Sequence, residues 1–468
     1  MSHAHRNAPW PYTAVLAALL SGCLLLPACA ADAKPAAQKW VDSWGQAMTS
    51  QVARVAGRDG KPGRDAYGQP VERAPVVDHL TLRQSVNVSA GGERVRIRLS
   101  NYYGLVPLTV SAARIALGAG HADDLSAIDP GSDRPLSFDG GKSSVTIAPG
   151  REAVSDPVDL HVPALSNVVV SLYFDAPSQL ADFHPMEQAH TTYAVDGDAT
   201  RQPSLAQQPA AKVLPHTRDD HIYLLAGVEV EVPASTRGIV AFGDSITDGA
   251  LASTPTASWP AVLAGLAQRN GDAAAVVNAG ISADELTTDQ IGAPAAGTSG
   301  LKRFLRDVVD RPGVTDVVVL FGANDINRGI DSAGWPNGAS AGDLIASMRM
   351  LADVAHQHHL RIYAGTVTPF AGLADWYSPQ REAVRLQFNE WIRSSGAFDG
   401  VVDFSDAVAG AYKPPPLVAK QSPLPVGMAT VCAGDAGLHP NDRGYAVMGT
   451  LAYDVLFHAK LQPPRACH

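Results

Sequence analysis

A serine on a short glycine-containing turn is the first residue of this sequence that could act as a nucleophile. It is Ser245, in the run Gly243-Asp244-Ser245-Ile246-Thr247. At the start of a helix, its hydroxyl would be flanked by backbone N–H groups that can stabilise an oxyanion. The run is not the G-x-S-x-G nucleophile elbow, because its last position is threonine. The other interpretation of this serine is a helix N-cap, which is a common role for the residue type.

Three residues farther along the chain could complete a site around this serine. An activated serine needs a base, and His439 stands in the run Leu438-His439-Pro440 just ahead of a helical pattern. The side chain of Asn324 can donate an N–H to an oxyanion. Gly280 can offer its backbone N–H without a side chain in the way.

The elements that must position these residues follow a regular order after residue 235. Short apolar runs predict strands at 238–242, 275–278, 316–321, 361–366 and 400–404. Helices are predicted between them at 259–269, 301–310, 342–358 and 379–394, with a last one at 440–458. Strands alternating with helices predict a parallel sheet covered on both faces. Reactive groups in such a sheet gather at the carboxyl edge, where the four residues above are expected to meet.

The order of these blocks resembles the GDSL, or SGNH-hydrolase, family over about residues 236–460. The matching blocks are Gly243-Asp244-Ser245, Gly280, Gly322-Ala323-Asn324-Asp325 and His439-Pro440-Asn441-Asp442. The resemblance implies a flavodoxin-like three-layer α/β/α fold and ester hydrolysis through an acyl-serine, without a metal or other cofactor. It assigns Ser245 as nucleophile and His439 as base. It assigns the oxyanion hole to the N–H groups of Ser245 and Gly280 and to the Asn324 side chain.

The acid that orients the base departs from the family pattern. The family usually places it three residues before the histidine, where this chain has Ala436. The nearest acid is Asp435, four residues before, and a one-residue loop insertion would bring it to the imidazole. Otherwise a backbone carbonyl orients the ring. Asp442 is interpreted as a first-turn acid favoured by the helix dipole.

The region before residue 236 has a different pattern. The run Arg94–Leu99 alternates polar and apolar residues, as a half-buried strand does, and residues 90–93 predict a hairpin turn before it. Several short strands with turn signals predict a β-sandwich or jelly-roll over residues 31–235. The region also resembles the β-rich leader domain of some secreted bacterial members of the family. It is expected to bind carbohydrate or to shape the substrate pocket.

Residues 1–30 have the pattern of a secretory signal peptide, with the apolar run 14–26 and the small-residue site Ala28-Cys29-Ala30. The mature chain is therefore expected to be secreted or periplasmic, in a bacterium. A lipoprotein-type cleavage that would lipidate Cys23 is the alternative. Cleavage before residue 31 leaves Cys432 and Cys467, which are predicted to form a disulfide. We find no other apolar run long enough for a transmembrane helix.

Composition excludes some classes of function and leaves others open. The net charge of −10 argues against a nucleic-acid partner, which calls for clustered basic charge. The predicted partner is a small-molecule or glycan ester: an acetylated carbohydrate, a lipid ester or an aryl ester. An acyltransferase using the same site is an alternative. A carbohydrate-binding protein with a vestigial catalytic domain is another, although the four site residues are intact.

Several further residues allow two interpretations. Phe370, Trp376 and Tyr377 follow the fourth predicted strand and would line a substrate pocket, or pack in an ordinary loop. His356, near a helix end, has neighbouring histidines but no zinc-like spacing, and a structural role is favoured. Residues 284–300 are expected to form a loop over the site.

Overall fold

The computed structural model describes residues 37–50, 74–120, 124–185, 191–210, 221–289, 297–327, 338–370, 377–409 and 437–461. The described residues from Gln38 onward belong to one compact unit. The predicted signal peptide, with Cys23, lies outside the described residues, as do Trp376, Cys432, Asp435 and Cys467. No helix in the described ranges is both long enough and apolar enough to cross a membrane.

The N-terminal part, residues 38–235, consists of strands. In chain order they are β1 Gln38–Gly45, β2 Thr49–Ser50, β3 Val76–Val77, β4 Leu80–Asn87, β5 Gly92–Asn101, β6 Leu108–Val110, β7 Ala112–Leu117, β8 Arg134–Pro135, β9 Val145–Ile147, β10 Arg151–Val154, β11 Val158–Val162, β12 Asn167–Phe174, β13 Ser178–Gln179, β14 Asp182–Pro185, β15 Thr191–Asp196, β16 His221–Tyr223 and β17 Leu225–Pro233. A short 3₁₀ helix, Pro130–Ser132, precedes β8.

Two five-stranded antiparallel sheets form most of this part. One has the order β1-β17-β5-β10 with β11 also paired to β5, and the other has the order β15-β4-β12-β7-β8. Val95 and Ile97 of the first sheet share a buried core with Leu82 and Leu172 of the second. The alternation predicted in β5 is confirmed, since its apolar residues are buried while Arg96 pairs with Glu229 at 2.6 Å. The finer description as a sandwich or jelly-roll stays a prediction.

The predicted hairpin at residues 90–93 is wrong. Strands β4 and β5 on either side of it belong to different sheets. The connecting backbone is held by other segments, because the N–H of Val88 donates to the carbonyl of Ser166 and that of Ala90 donates to the hydroxyl of Ser43. The turn therefore carries the chain from one sheet to the other.

The C-terminal part alternates strands and helices as predicted. Its elements are β18 Arg237–Gly243, α1 Ser245–Asp248, α2 Trp259–Asn270, β19 Ala274–Gly280, α3 Gly300–Phe304, β20 Val314–Leu320, α4 Ala323–Asn327, α5 Ala341–Gln357, β21 Arg361–Gly365, α6 Pro379–Ser394, β22 Gly400–Val402, α7 Phe404–Val408 and α8 Asp442–Phe457. A π-helical turn, Leu305–Val309, extends α3. The predicted parallel sheet is confirmed, with the order β19-β18-β20-β21-β22.

Helices cover both faces of this sheet. Helix α2 packs on α8, and α5 packs on α6. Right-handed crossovers place these two pairs on opposite faces. Their starts follow local rules: Pro379 is the first residue of α6, and Ser340 and Asp343 form a capping box at the start of α5. The result is a three-layer arrangement with one apolar core that includes Phe242, Val318 and Trp259.

The register of the sheet determines where the site forms. Gly243 at the end of β18 lies opposite Gly280 of β19 on one side and Leu320 of β20 on the other. Strand β18 is also where the strand order reverses, with the next strand in sequence on one side and the one after it on the other. Open α/β sheets bind ligands in the crevice at such a switch point. Ser245 follows β18 by two residues and therefore lies at this crevice.

Buried polar contacts join the N-terminal part to the sheet. The guanidinium of Arg311 donates to a carboxylate oxygen of Asp42 at 3.1 Å and to the carbonyls of Gln46 and Ala226 at 2.6 and 3.0 Å. Arg306 donates to the hydroxyl of Tyr103 at 2.9 Å. These contacts explain why both parts belong to one compact unit, and the domain boundary at residue 235 stays a prediction.

Candidate active site

Ser245 is positioned by a tight turn between β18 and α1. A Cβ atom on Gly243 would lie 2.2 Å from Thr247 Oγ1 and 2.5 Å from the carbonyl of Leu320, so only glycine fits there. The interpretation of Ser245 as the N-cap is wrong. Asp244 is the N-cap, and its carboxylate accepts a hydrogen bond from the N–H of Ile246 at 3.0 Å. The serine is the first residue of α1, and its hydroxyl is not used for capping.

The hydroxyl of Ser245 instead meets the imidazole of His439. Ser245 Oγ lies 2.9 Å from His439 Nε2, and the serine is 7% exposed. The histidine precedes α8, which is capped by the Asn441 side chain accepting from two backbone N–H groups. This distance is within the reach that a nucleophile and its general base require. The structure thus brings together two residues that the sequence predicts to act together.

Asn324 lies in α4, directly after β20, at the same edge of the sheet. Its side-chain nitrogen donates to the carbonyl of Asp284 at 3.0 Å. This bond orients the amide, which carries a second N–H that can serve an oxyanion. Asn324 follows β20 and Gly280 ends β19, so the two residues lie on opposite sides of the end of β18. This placement agrees with the predicted oxyanion hole.

Gly280 has a packing role that the sequence does not reveal. A Cβ atom at this position would lie 2.2 Å from the backbone nitrogen of Asp248, because α1 packs directly on it. Its own N–H donates to Asn278 Oδ1 at 3.0 Å. Service in an oxyanion hole would require this hydrogen bond to be shared or given up. That assignment of Gly280 stays a prediction.

A buried arginine supports the loop after β19, and no motif in the sequence predicts this role. The guanidinium of Arg303 donates to the carbonyls of Gly243 and Ala279, both at 2.9 Å, and to Asp284 Oδ2 at 2.8 Å. It therefore ties the ends of β18 and β19 to the residue that orients Asn324. The signal in the sequence is weak, because nothing local distinguishes this arginine from its exposed neighbour Lys302.

Three of the buried carboxyl groups around the site, those of Asp244, Asp284 and Asp325, have raised pKa values. Asp325 accepts hydrogen bonds from the N–H groups of Leu286 and Thr287, so it braces the loop after β19. Burial raises the pKa of Asp244 to about 7, with the charge of Asp325 adding to it and the N–H of Ile246 and the nearby His439 opposing it. Three acids this close cannot all ionise readily near neutral pH.

Of the three carboxyl groups, that of Asp284 has the most strongly raised pKa. Burial raises its pKa well above the ordinary value, and Arg303 only partly offsets this effect. Its Oδ1 atom is buried and has no hydrogen-bond partner among the described residues. The next residue toward the strand, Ala283, adopts a left-handed backbone with φ = 62°. Non-glycine residues in this region are strained, and such strain is concentrated at functional sites.

The remaining predicted residues are distributed as follows. Phe370 is completely buried in the core of the C-terminal part, which favours ordinary packing over lining a pocket. Tyr377 is half-buried. His356 pairs with Asp399 at 3.0 Å, near the end of α5, in agreement with a structural role. The expected loop over the site is described only at 284–289 and 297–300.

A cleft lies beside the site, not at it. It has a volume of about 340 Å³ and runs along α2 against the N-terminal part, lined by Trp44, Asn87, Arg269 and other residues. Ser245 and His439 do not line it. The Ser–His pair instead occupies the crevice at the carboxyl edge of the sheet.

A serine hydroxyl bonded to a histidine at the carboxyl edge of a parallel sheet defines the class of serine hydrolases. Comparison with known proteins gives the family within that class. The profile of the GDSL-like lipase/acylhydrolase family matches residues 241–447, so this part of the chain is a domain of that family and the protein is an ester hydrolase. The resemblance seen in the sequence is confirmed. No curated protein is similar enough to the chain to count as a match.

Solved structures similar to this chain include three hydrolases. A lipase/acylhydrolase from Enterococcus faecalis is 20% identical, with 49% of this chain and 100% of that chain covered and a TM-score of 0.35. The aryl esterase of M. smegmatis is 16% identical, with 47% and 97% covered and a TM-score of 0.34. A carbohydrate esterase family 2 enzyme with a carbohydrate binding domain, from Corynascus thermopiles, is 13% identical, with 84% and 96% covered and a TM-score of 0.34.

Proposed function

We propose that the protein is a secreted esterase that hydrolyses carboxylic esters through an acyl-serine at Ser245. The observation that supports this proposal most directly is the 2.9 Å distance between Ser245 Oγ and His439 Nε2. A hydroxyl at its ordinary pKa is a weak nucleophile, and a positioned imidazole activates it by taking its proton.

In the acylation step, Ser245 Oγ attacks the ester carbonyl while its proton moves to His439 Nε2. The carbonyl oxygen becomes an oxyanion, which accepts hydrogen bonds from the N–H of Ser245 and the side chain of Asn324. Gly280 is proposed as a third donor. The carbon–oxygen bond to the alcohol then breaks, and the proton on His439 passes to the departing alkoxide. The acyl group remains on the serine.

In the deacylation step, water takes the place of the alcohol. His439 removes a proton from the water as its oxygen attacks the acyl carbon, and the same donors stabilise the second oxyanion. The bond to Ser245 Oγ breaks, the serine recovers its proton from the imidazole, and the carboxylic acid leaves. An acid on the other ring nitrogen would hold the tautomer that has Nε2 free to accept, and Asp435 is proposed for that role.

Hydrolysis of p-nitrophenyl acetate by purified enzyme tests the role of Ser245. The Ser245→Ala variant should lose turnover, while Ser394→Ala should keep it, because that serine only donates to the Glu390 carbonyl on an exposed face of α6. Equal rates for wild type and Ser245→Ala would exclude the serine mechanism. Unchanged turnover in Asp435→Asn would exclude Asp435 as the orienting acid.

For the substrate, we propose an acetyl ester on a carbohydrate, with lipid and aryl esters as the alternatives to test beside it. The cleft along α2 supports this choice, because its tryptophan, amide and guanidinium side chains suit a polar ligand with apolar ring faces. Acetylated glycans and p-nitrophenyl esters of increasing chain length should be compared by kcat/KM. A preference that rises with acyl length would contradict the acetyl proposal.

For localisation, we propose export through the signal peptide at residues 1–30, with cleavage before Ala31. Intact mass of the exported protein distinguishes this product from one that begins with a lipidated Cys23. The same non-reducing mass measurement tests the predicted bond between Cys432 and Cys467. Free thiols at both positions would contradict it.

A further inference from the structure

A buried histidine of the N-terminal part touches the helix that carries the nucleophile. His184, on β14, is 1% exposed. Its Nδ1 lies 2.7 Å from the carbonyl of Ala47, and its Nε2 lies 3.2 Å from Asp248 Oδ1. Asp248 is the last residue of α1, whose first residue is Ser245. The imidazole therefore connects a strand outside the parallel sheet to the four-residue helix at the centre of the site.

The two partners determine where the protons of this imidazole lie. The Ala47 carbonyl can only accept, so Nδ1 carries a hydrogen and donates it. If Asp248 is a carboxylate, which also only accepts, its bond to Nε2 needs a hydrogen on that nitrogen as well. Both conditions are met by the doubly protonated imidazolium. A neutral ring with its hydrogen on Nδ1 would face the carboxylate with a lone pair.

Asp248 and its neighbour Thr247 are also bonded to β19 and to the loop that follows it. The other carboxylate oxygen of Asp248 accepts from the hydroxyl of Ser282 at 2.9 Å, in the loop after β19. Its backbone carbonyl and that of Thr247 accept from the side chain of Asn278, at 3.0 and 2.9 Å. With only four residues, α1 has little stability of its own, and its orientation depends on such contacts.

We propose that His184 is a positioning residue: its imidazolium holds Asp248, and through α1 it keeps the Ser245 hydroxyl within reach of His439. The inference rests on the proposed esterase function, because it concerns the geometry of that nucleophile. It makes turnover depend on a group that belongs to the N-terminal part. That part is then required for the chemical step and not only for substrate binding.

The charged groups that face His184 predict the direction of the pH dependence. Burial favours the neutral ring, but the charge and hydrogen bond of Asp248 outweigh burial and the charge of Arg303, so the pKa is raised from its ordinary value of 6.5. The imidazolium is lost as pH rises through this raised pKa. Turnover should then decline on the alkaline side.

Two substitutions separate the bonds that His184 makes. The amide nitrogen of glutamine reaches the place of Nε2, so His184→Gln keeps a donor to Asp248 that does not titrate. The shorter asparagine reaches the place of Nδ1 and keeps only the bond to Ala47. A matched control is His356→Gln, which makes the same replacement in the half-exposed pair with Asp399 at the end of α5 and likewise keeps a donor at the place of Nε2.

The first assay measures kcat and KM for p-nitrophenyl acetate as a function of pH, corrected for spontaneous hydrolysis. The second measures, over the same pH range, the rate at which a p-nitrophenyl phosphonate labels Ser245. His184→Asn should lower kcat about 10- to 100-fold with little change in KM, as expected for a small displacement of a reacting group. His184→Gln should lose less activity and should lack the alkaline decline in both assays. His356→Gln should keep the wild-type profile, and thermal unfolding should confirm that each variant is folded.

The outcomes distinguish this proposal from the proposed function. The same alkaline decline in wild type and His184→Gln would overturn the positioning role, as would equal kcat in the Asn and Gln variants. Ester turnover that survives Ser245→Ala would overturn the esterase mechanism alone. In that case the phosphonate labelling still tests whether His184 controls the reactivity of Ser245.

Discussion

The carboxylate of Asp442 accepts hydrogen bonds from both the backbone N–H and the hydroxyl of Ser253, at 2.7 and 2.5 Å. Asp442 begins α8, just after the base His439, and Ser253 lies in the loop that follows α1. The contact thus joins the segment that presents the base to the segment that presents the nucleophile. In the sequence Asp442 is interpreted as a first-turn acid, and the structure confirms that position and adds this second role.

We expect Asp442→Ala to lower kcat about tenfold and to lower the free energy of unfolding by about 1 kcal/mol, because hydrogen bonds to an exposed carboxylate are individually modest. Ser253→Ala keeps the backbone bond and should have a smaller effect on both. Turnover of p-nitrophenyl acetate and urea unfolding measure the two quantities. A wild-type kcat in Asp442→Ala would show that the contact does not align the Ser–His pair.

Asn324→Ala should lower kcat about 10²- to 10³-fold with little change in KM, as loss of one oxyanion donor does. The neighbouring Asn327, whose side chain donates to the Ala323 carbonyl within α4, provides a matched control. Asn327→Ala should keep the wild-type kcat. A change in KM alone for Asn324→Ala would place this residue in substrate binding and outside the oxyanion hole.

Asp244→Asn should change the pH dependence of stability. The native pKa of Asp244 is raised to about 7 by burial, so the folded state binds its proton more tightly than the unfolded state. As pH rises from about 4 to 7, the free energy of unfolding of wild type should therefore fall relative to that of the variant. The decrease is at most about 1.4 kcal/mol per pH unit. The amide oxygen still caps α1.

Denaturant unfolding at several pH values checks this expectation. Asp403→Asn is an instructive control, because hydrogen bonds from Arg393 and Thr366 overcome burial and lower the pKa of Asp403. The contribution of Asp403 to stability is present above its pKa in the unfolded chain. It is lost as pH falls through its pKa in the folded protein. As pH rises, the unfolding free energy of wild type should thus fall relative to that of Asp244→Asn and rise relative to that of Asp403→Asn. Parallel curves for wild type and Asp244→Asn would contradict the prediction.

Ala283→Gly should raise the free energy of unfolding by about 0.5–1 kcal/mol. The left-handed conformation of Ala283 costs about 1–2 kcal/mol, and the greater freedom of glycine in the unfolded chain offsets part of the gain. Ala397→Gly is the control, because that alanine has no positive φ, and it should lower stability. Thermal unfolding measures both changes. A destabilised Ala283→Gly would mean that the methyl group makes contacts worth more than the strain.

Much of the C-terminal part could be predicted from the sequence. Helix α6 begins and ends at the predicted residues, and the strands and most other helices differ from prediction by only a few residues. These elements are marked by local signals: apolar runs, capping residues and prolines at first positions. The proximity of Ser245 to His439 could also be predicted, because parallel strands place their carboxyl ends at one edge of the sheet.

The predictions that failed concern hydrogen-bond partners. Ser245 was open to interpretation as an N-cap, but Asp244 takes that position, since both residue types cap helices well. The hairpin at residues 90–93 depended on a turn pattern that does not specify which strands pair. The role of Gly280 as an oxyanion donor stays a prediction, and the structure adds a reason for glycine that the sequence does not reveal: the close approach of α1.

The sequence by itself determined the order of strands and helices, the parallel sheet and the residues that carry the chemistry. Those features depend on periodicity and on motifs of a few residues, which are present in the chain before it folds. Only the tertiary structure decided that His184 meets Asp248 across 64 residues, and that Arg303 ties two strand ends to Asp284. Buried polar groups take whichever partners the packing brings within about 3 Å, because leaving them unpaired costs more than any local preference.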